Sequence, residues 1–385
     1  MKYMKSEARK VFSLFIVSSS LASLSHSLWY TLFPLYLERR GFQLWEIGFA
    51  SSLATTLSFI LALPAGFIAD IASLRSSLVL AAIAQTITLH LLKDASTSLL
   101  VVSIAAYTFF ATLRGQVSLR LLSMLGSRGW ALKYSAFLFF SSLASVIGPY
   151  FSGLIVQQTG FDELFTISET VLLASTPIAA MVNFHESRQE RTSRLKVVWR
   201  TAHSQELLLL TFSLALHDFS VFGVMSYTTL FQLNVLKLTP YEIGSLASLG
   251  SAVSLASQLL AGYFTDRIGA KAALAFHYVG VSAGYALMGL SRDFKSLATA
   301  VIVQNIAFPF DMPARRKILT FLAHNSVVAT VNGFSDVVVG AVTLPSPLLG
   351  SYLWNITGPR TMLICSAVLN LTALAPLAML RERQG

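Results

Sequence analysis

The sequence predicts an all-α membrane protein, with twelve transmembrane helices arranged as two pseudo-symmetric six-helix bundles. Three observations carry that expectation. The 385 residues are 54% hydrophobic and only 12% charged, with a mean hydropathy of +0.65, which does not suit a water-facing surface. Breaking the chain at charges, glycines and prolines leaves twelve apolar runs, each near the ~20 residues a bilayer core requires. The second half of the chain also repeats the first.

The first run, 11–37, follows Lys2, Lys5, Arg9 and Lys10. That basic start is like a signal-peptide n-region, but the apolar stretch continues well past a cleavable h-region and reads as a spanning helix. The next five runs are 46–69, 76–92, 97–122, 131–157 and 163–183. A hydrophilic stretch follows, holding Arg188, Arg191, Arg194, Lys196 and Arg200, and it reads as the hinge between halves. The last six runs are 207–236, 242–265, 272–290, 296–322, 327–354 and 360–380. The expected organisation is therefore a bundle over 1–184, a cytoplasmic linker over 185–206 and a second bundle over 207–385.

The net charge of +10 would suggest nucleic acid in a soluble protein. Here the basic residues sit in short loops between apolar runs, where they meet anionic lipid headgroups, so no nucleic-acid partner is expected. With both termini cytoplasmic, the inner loops collect roughly twice as many Lys and Arg as the outer ones, which fits the positive-inside bias. The single cysteine, Cys365, forms no disulfide within the chain and offers no paired thiolates for a metal or redox centre. No metal and no cofactor are expected.

The repeat is gapless over its clearest stretch. EIGFASSLATTLSFILALPAGFIAD from Glu46 aligns with EIGSLASLGSAVSLASQLLAGYFTD from Glu242. In this register Gly48 meets Gly244, Gly66 meets Gly262, Asp70 meets Asp266, Arg75 meets Lys271 and Pro149 meets Pro345. GFIADIASLR and GYFTDRIGAK each place a carboxylate at a cytoplasmic helix end beside a basic turn. Here the chain resembles the major facilitator superfamily, which carries G-x-x-x-D-R-x-G-x-[RK] after its second helix and often after its eighth. Gly262, Asp266, Arg267, Gly269 and Lys271 match that pattern. The first copy keeps Gly66, Asp70 and Arg75, with Ile71 and Ser73 where the family has Arg and Gly. The physical expectation is that the glycine admits a neighbouring helix while the aspartate makes a charge-assisted latch on the inner side. The other reading is a set of basic loop anchors with a solvated acid.

GPYFSG, with Gly148, Pro149 and Gly153, resembles the fifth-helix G-P-x-x-G-G signature of antiporter branches. Proline removes a backbone donor and glycine exposes backbone, so this helix should bend and pack closely against a partner. Arg114, deep in the fourth run, matches the position of the family's buried fourth-helix Arg. A charge there should face protein or a water-filled cavity. It can hold a carboxylate, tune a proton site or clamp an anionic substrate. The tenth-run stretch DMPARRK is similar to a P-A-R stretch in several facilitator branches, and Arg315 lies four residues after Asp311, within reach of it. Arg316 and Lys317 read as snorkelling side chains.

In the seventh run His217 and Asp218 lie side by side, and the repeat register sets Asp218 against Ala22, one turn from His26. The resemblance implies that the first and seventh helices line the cavity. A carboxylate in an apolar surrounding can load and release a proton near neutral pH, because burial and a nearby cation act on it in opposite senses. Asp218 is thus the leading proton-site candidate, with Asp311 as its partner. His26 and His217 are either relays or ordinary hydrogen-bonded core residues. Glu169 and Asp336 are the remaining acids within runs, each either a second protonation site or a partner for an arginine. Gln116, Gln304 and Asn305 are candidate polar substrate contacts, and Trp29 and Phe222, with Tyr30, Phe33, Phe219 and Tyr227, are candidate apolar ones.

No G-x-x-x-x-G-K-[ST] loop and no H-E-x-x-H is present, which disfavours ATP-driven pumping and zinc-hydrolase chemistry. The expected function is secondary transport of a small organic solute by alternating access, as proton-coupled efflux from the cell, by a monomer in the plasma membrane. Proton-coupled uptake or facilitated diffusion of a sugar or organic anion is the alternative. A non-transporting membrane sensor is the reading from another class.

Overall fold

The computed structural model describes residues 2–93, 96–124, 130–182, 204–322 and 328–380. The linker arginines Arg188, Arg191, Arg194 and Arg200 and Lys196 lie outside these residues. So do the side chains of Lys2, Lys5, Arg9 and Asp70.

The described chain is helical in twelve passes. α1 (Lys2–Tyr30) and α2 (Phe33–Arg39) share the first, and α3 (Leu44–Ile71), α4 (Leu74–Leu92), α5 (Thr97–Met124), α6 (Trp130–Gln158) and α7 (Phe161–Ala180) form the next five. α8 (Gln205–Asn234), α9 (Pro240–Ile268) and α10 (Ala270–Leu290) follow. The tenth pass joins α11 (Phe294–Ala307) through a 3-10 turn (Phe308–Phe310) to α12 (Asp311–Leu322). α13 (Val328–Thr343) with α14 (Ser346–Thr357), and α15 (Pro359–Thr372) with α16 (Leu374–Met379), complete the set. Eight stretches among the described residues are long and apolar enough to cross a bilayer unaided. Pro240–Ile268 joins them as a helix pair bent by 46°.

The spans read from hydropathy agree with these bounds to within a few residues, except that α1 starts at Lys2, well before the expected 11, and the breaks in the first, tenth, eleventh and twelfth passes are not visible as charges. Proline alone does not set them, since α3, α6 and α7 run unbroken through Pro64, Pro149 and Pro177. In the tenth pass Pro309 leaves the Asn305 carbonyl without its helical donor. Ser254 Oγ supplies one at 3.3 Å, and His277 Nδ1 lies 3.0 Å from the Ala307 carbonyl, which opens the 3-10 turn. Irregular backbone at membrane depth is tolerated when protein groups satisfy it in this way.

The chain gathers into two packed units, one of Met1–Tyr36, Leu53–Gln189 and Thr239–Ser248, the other of Leu37–Ser52, Glu190–Leu238 and Leu249–Gly385. The first has an apolar core around Phe15, Leu74, Leu78, Leu113, Val117 and Leu121. Ser18 and Ser25 of α1 bind the carbonyls of Ser175 and Ser168 on α7, small residues that let the two backbones approach. The second unit has its core around Leu207, Leu210, Leu214, Leu274, Phe310 and Leu319.

Two stretches leave their own half of the sequence for the other unit, and they hold the starts of α3 and α9, which are equivalent in the repeat. This explains the EIG identity. Glu46 and Glu242 fold back to accept hydrogen bonds from the backbone N–H of Gln43 and Thr239, both at 2.8 Å, closing the first turn of each helix. Gly48 and Gly244 are close-approach points. A Cβ at Gly48 would overlap the Tyr227 hydroxyl, and one at Gly244 would lie 2.3 Å from the Pro149 carbonyl oxygen.

Candidate functional site

The second unit holds a network of buried charges at mid-helix depth. Arg315, on α12, donates from both terminal nitrogens to Asp218 on α8, at 3.0 and 2.9 Å. Its Nε donates to Asp311 at 3.0 Å. One guanidinium therefore serves two carboxylates, with side-chain exposures of only 6% for Arg315 and 7% for Asp218. The Arg315–Asp311 contact is the one its four-residue spacing implied. The bidentate contact to Asp218, between separate passes, was not legible from spacing. Asp311 begins α12 directly after the 3-10 turn, so the break sets its carboxylate at a helix N-terminus, the favourable end for an anion.

Four side chains that sequence reasoning missed extend this network. His217 Nδ1 lies 2.7 Å from Asn370 Oδ1 on α15. His217 Nε2 lies 3.0 Å from His277 Nε2 on α10 and 3.8 Å from Asp218 Oδ1. The His217 ring stacks on Tyr278, centroids 4.6 Å apart, and the Tyr278 hydroxyl is 3.1 Å from Ser213. A signal for His277 was present in the sequence: like His217, it is an imidazole inside an otherwise apolar run.

In the first unit His26, Trp29, Tyr30 and Tyr107 form an aromatic cluster. His26 stacks on Tyr30 and Tyr107 with Trp29 edge-on, and the Tyr107 hydroxyl lies 3.4 Å from His26 Nδ1. Trp29 is buried, His26 exposed. Two helical turns along α5 from Tyr107, and so on the same face, Arg114 is 7% exposed. Its Nε donates to Gln85 at 3.2 Å, and its two terminal nitrogens have no hydrogen-bond partner among the described residues. Of the three roles open to Arg114, a carboxylate partner is not present among the described residues, unlike at Arg315.

At the loop motifs, Asp266 accepts from Lys317 Nζ at 2.7 Å, so Lys317 makes a charge-assisted contact with the motif instead of only snorkelling. Arg316 also has partners, Asp336 at 2.9 Å and Asn332 at 2.8 Å. Lys271 donates to the carbonyls of Ala378 and Leu380, and Arg267 lies over the Tyr263 ring. Gly269 takes φ +92°, a conformation that favours glycine. Its first-half counterpart Ser73 instead caps α4, accepting from Ser76 N at 3.1 Å, which accounts for the missing glycine. Arg75 is exposed. Arg120 donates to the carbonyls of Ala69 and Ala72 at the end of α3, close in the chain to Asp70. The expected reason for the motif glycines does not hold at Gly262, where a Cβ would meet nothing within 4 Å among the described residues. At Gly66 it would only touch Gln116.

Close packing is found instead at GPYFSG. A Cβ at Gly153 would fall 2.4 Å from the Pro240 carbonyl oxygen, and one at Gly148 would overlap Ser27. α6 itself continues through Pro149. Of the remaining candidates, Glu169 faces Lys93 at 3.8 Å and His90 at 3.3 Å, so among the described residues its ion-pair partner is a lysine and not an arginine. Asn305 spends its amide on Ser254 and the Val301 carbonyl. Gln304 packs against Gly284, and Phe222 is half-buried on α8.

Charges held midway along membrane-crossing helices, beside a broken pass whose backbone is satisfied by protein, are characteristic of proteins that carry solutes through a bilayer. The fold and the network thus define a polytopic membrane transporter. The chain belongs to the Major Facilitator Superfamily, whose family model matches residues 15–254 and 207–385. A curated relative, an uncharacterized MFS-type transporter of Methanocaldococcus jannaschii, is 31% identical over 110 residues, covering 28% of this chain and 27% of the relative. Among solved structures, a bacterial homolog of the human lysosomal transporter Spinster, inward-facing and occupied, superposes with a TM-score of 0.81 at 12% identity, over 96% of each chain. A variant of the nucleoside transporter NupG superposes with a TM-score of 0.79 at 16% identity, over 96% of this chain and all of the other. These structures share the fold.

Proposed function

We propose that this transporter couples proton movement to the export of a small organic solute bearing an anionic group, by alternating access between two bundles at 1–184 and 207–385 joined by the linker at 185–206. The observation that carries the reading is the guanidinium of Arg315 shared by two buried carboxylates. Protonating either acid weakens its hold on the arginine, so proton binding and the pairing of α8 with α12 are linked. Arg114 supports the anionic solute. A buried guanidinium with two nitrogens unsatisfied among the described residues is costly alone and is relieved by a carboxylate or phosphate, which it can bind through two parallel hydrogen bonds. Trp29, Tyr30 and His26 would cover the apolar part of such a solute. Asp266 with Lys317, and Asp70 in the first copy of the motif, would latch the inner side. The charge bias supports cytoplasmic termini, and on this reading the protein works as a monomer in the plasma membrane.

Export rests on the likeness of GPYFSG to the antiporter signature. The second reading, uptake of an organic anion together with protons, draws on the same Arg114. Liposomes with a trapped pH dye separate them. Organic anions, nucleosides, sugars and lipophilic cations would be added in turn under an imposed proton gradient. Counterflow of protons against an organic anion, lost in Asp218→Asn, is the expected result. Protons moving with the anion would establish uptake, and a response to cations but not anions would overturn the role given to Arg114.

A further inference from the structure

The hydrogen bonds around His217 and His277 fix where their protons must be. Asn370 donates its amide nitrogen to the Tyr278 carbonyl and to Ser282 Oγ, both at 3.0 Å. Its oxygen is therefore the atom facing His217, and since that oxygen only accepts, His217 Nδ1 carries a proton. The Ala307 carbonyl likewise only accepts, so His277 Nδ1 carries a proton. A neutral imidazole has one N–H. If both rings were neutral, two bare Nε2 lone pairs would face each other at 3.0 Å, a repulsive contact in a buried place. One additional proton turns it into an N–H···N hydrogen bond of ordinary length.

The charges agree with this count. Arg315 alone leaves Asp218 and Asp311 with an excess negative charge, and an isolated charge at this depth is costly. A proton on the histidine pair makes the cluster neutral. The titratable groups facing the pair are Asp218 beside it on α8, Asp311 and Arg315 on α12 and the Tyr278 phenol on α10. Arg316 and Asp336, on α12 and α13, pair with each other. On α15 Arg360 reaches the Gly289 and Ser291 carbonyls, and Cys365 lies more than a turn from Asn370.

We propose that His217 and His277 form a proton-binding site that holds one proton between their Nε2 atoms, with Asn370 and the Ala307 carbonyl fixing the two rings as acceptors toward each other. This rests on the proton-coupling reading above: the pair exchanges its proton with Asp218, whose Oδ1 lies 3.8 Å from His217 Nε2. Because the Ala307 carbonyl opens the 3-10 turn in the tenth pass, movement of α11 against α12 would reset the acceptor and release the proton.

The test is nitrogen NMR of the full chain in lipid bilayers, with its 7 histidines labelled with nitrogen-15 in the rings. The expected spectrum at neutral pH contains one ring with both nitrogens at protonated shifts and a nitrogen–nitrogen contact to a second ring. Both features should disappear in His277→Gln, whose amide N–H₂ can donate to His217 without an extra proton. A wild-type spectrum in which every ring has one protonated and one bare nitrogen would overturn the proposal, without needing any variant to fold. The spectrum decides the site even if the pH-dye assay finds no coupling, so failure of the two readings is distinguishable.

Discussion

At Arg315 one fork-shaped donor set holds Asp218 through two bonds and Asp311 through a third. A lysine keeps the charge but has a point-like head that cannot span both acids. Arg315→Lys should therefore lose at least about tenfold in gradient-driven flux, the equivalent of ~1.4 kcal/mol, while folded protein is still recovered. Wild-type flux in that variant would show that the fork is not needed. Removing the arginine's charge altogether strands two carboxylates, and losing one partner of such a buried pair costs about 3–5 kcal/mol. Arg315→Met should accordingly melt well below Arg315→Lys. At this scale the sequence was legible where charge interrupted apolar runs, as at Asp218, Asp311 and Arg114. It was not legible where the partner lay on another pass, since nothing local links residue 218 to residue 315. Asn370 and His277 carry no fixed charge, and single polar residues are common in apolar helices, so only the fold brings them together.

At the scale of elements, the two motif glycines that look alike in the repeat behave differently from the glycines that pack. Gly244→Ala would place a methyl 2.3 Å from the Pro149 oxygen, and overpacking of this kind costs about 1–3 kcal/mol. Gly262→Ala enters open space and improves helix propensity. Melting temperatures should fall for the first and hold or rise for the second, and equal behaviour would contradict the packing described. Asp293 offers a pH-dependent check on α11. It caps that helix by accepting from Ser296 N at 2.8 Å, and this backbone hydrogen bond holds its carboxyl below the usual carboxylate range. A depressed folded value adds stability above the unfolded titration, and that stability is lost as pH falls through the folded value. Asp293→Ala should melt below wild type at neutral pH, with the gap closing in acid; a gap that does not change with pH would count against the cap. Helix positions were readable because hydropathy sets them. The breaks were not, because they depend on whether a donor such as Ser254 stands opposite a freed carbonyl.

At the scale of the whole molecule, the repeat made two six-helix halves legible, while the grouping of Leu37–Ser52 and Thr239–Ser248 with the opposite halves required the contacts at Gly48 and Gly244. Topology rests on the charge bias and can be read directly. In a Cys365→Ser background, Gln43→Cys should react with an impermeant maleimide on intact cells. Ser73→Cys should react only after permeabilisation, and the reverse pattern would invert the orientation. The central claim is that the Asp218–Arg315–Asp311 network ties solute movement to protons. The most direct test compares wild type with Asp218→Asn in liposomes for two activities, exchange of an organic anion at equilibrium and its accumulation against a gradient when a pH difference is imposed. The network predicts that the variant still exchanges but no longer accumulates, whereas accumulation at the wild-type level would contradict it.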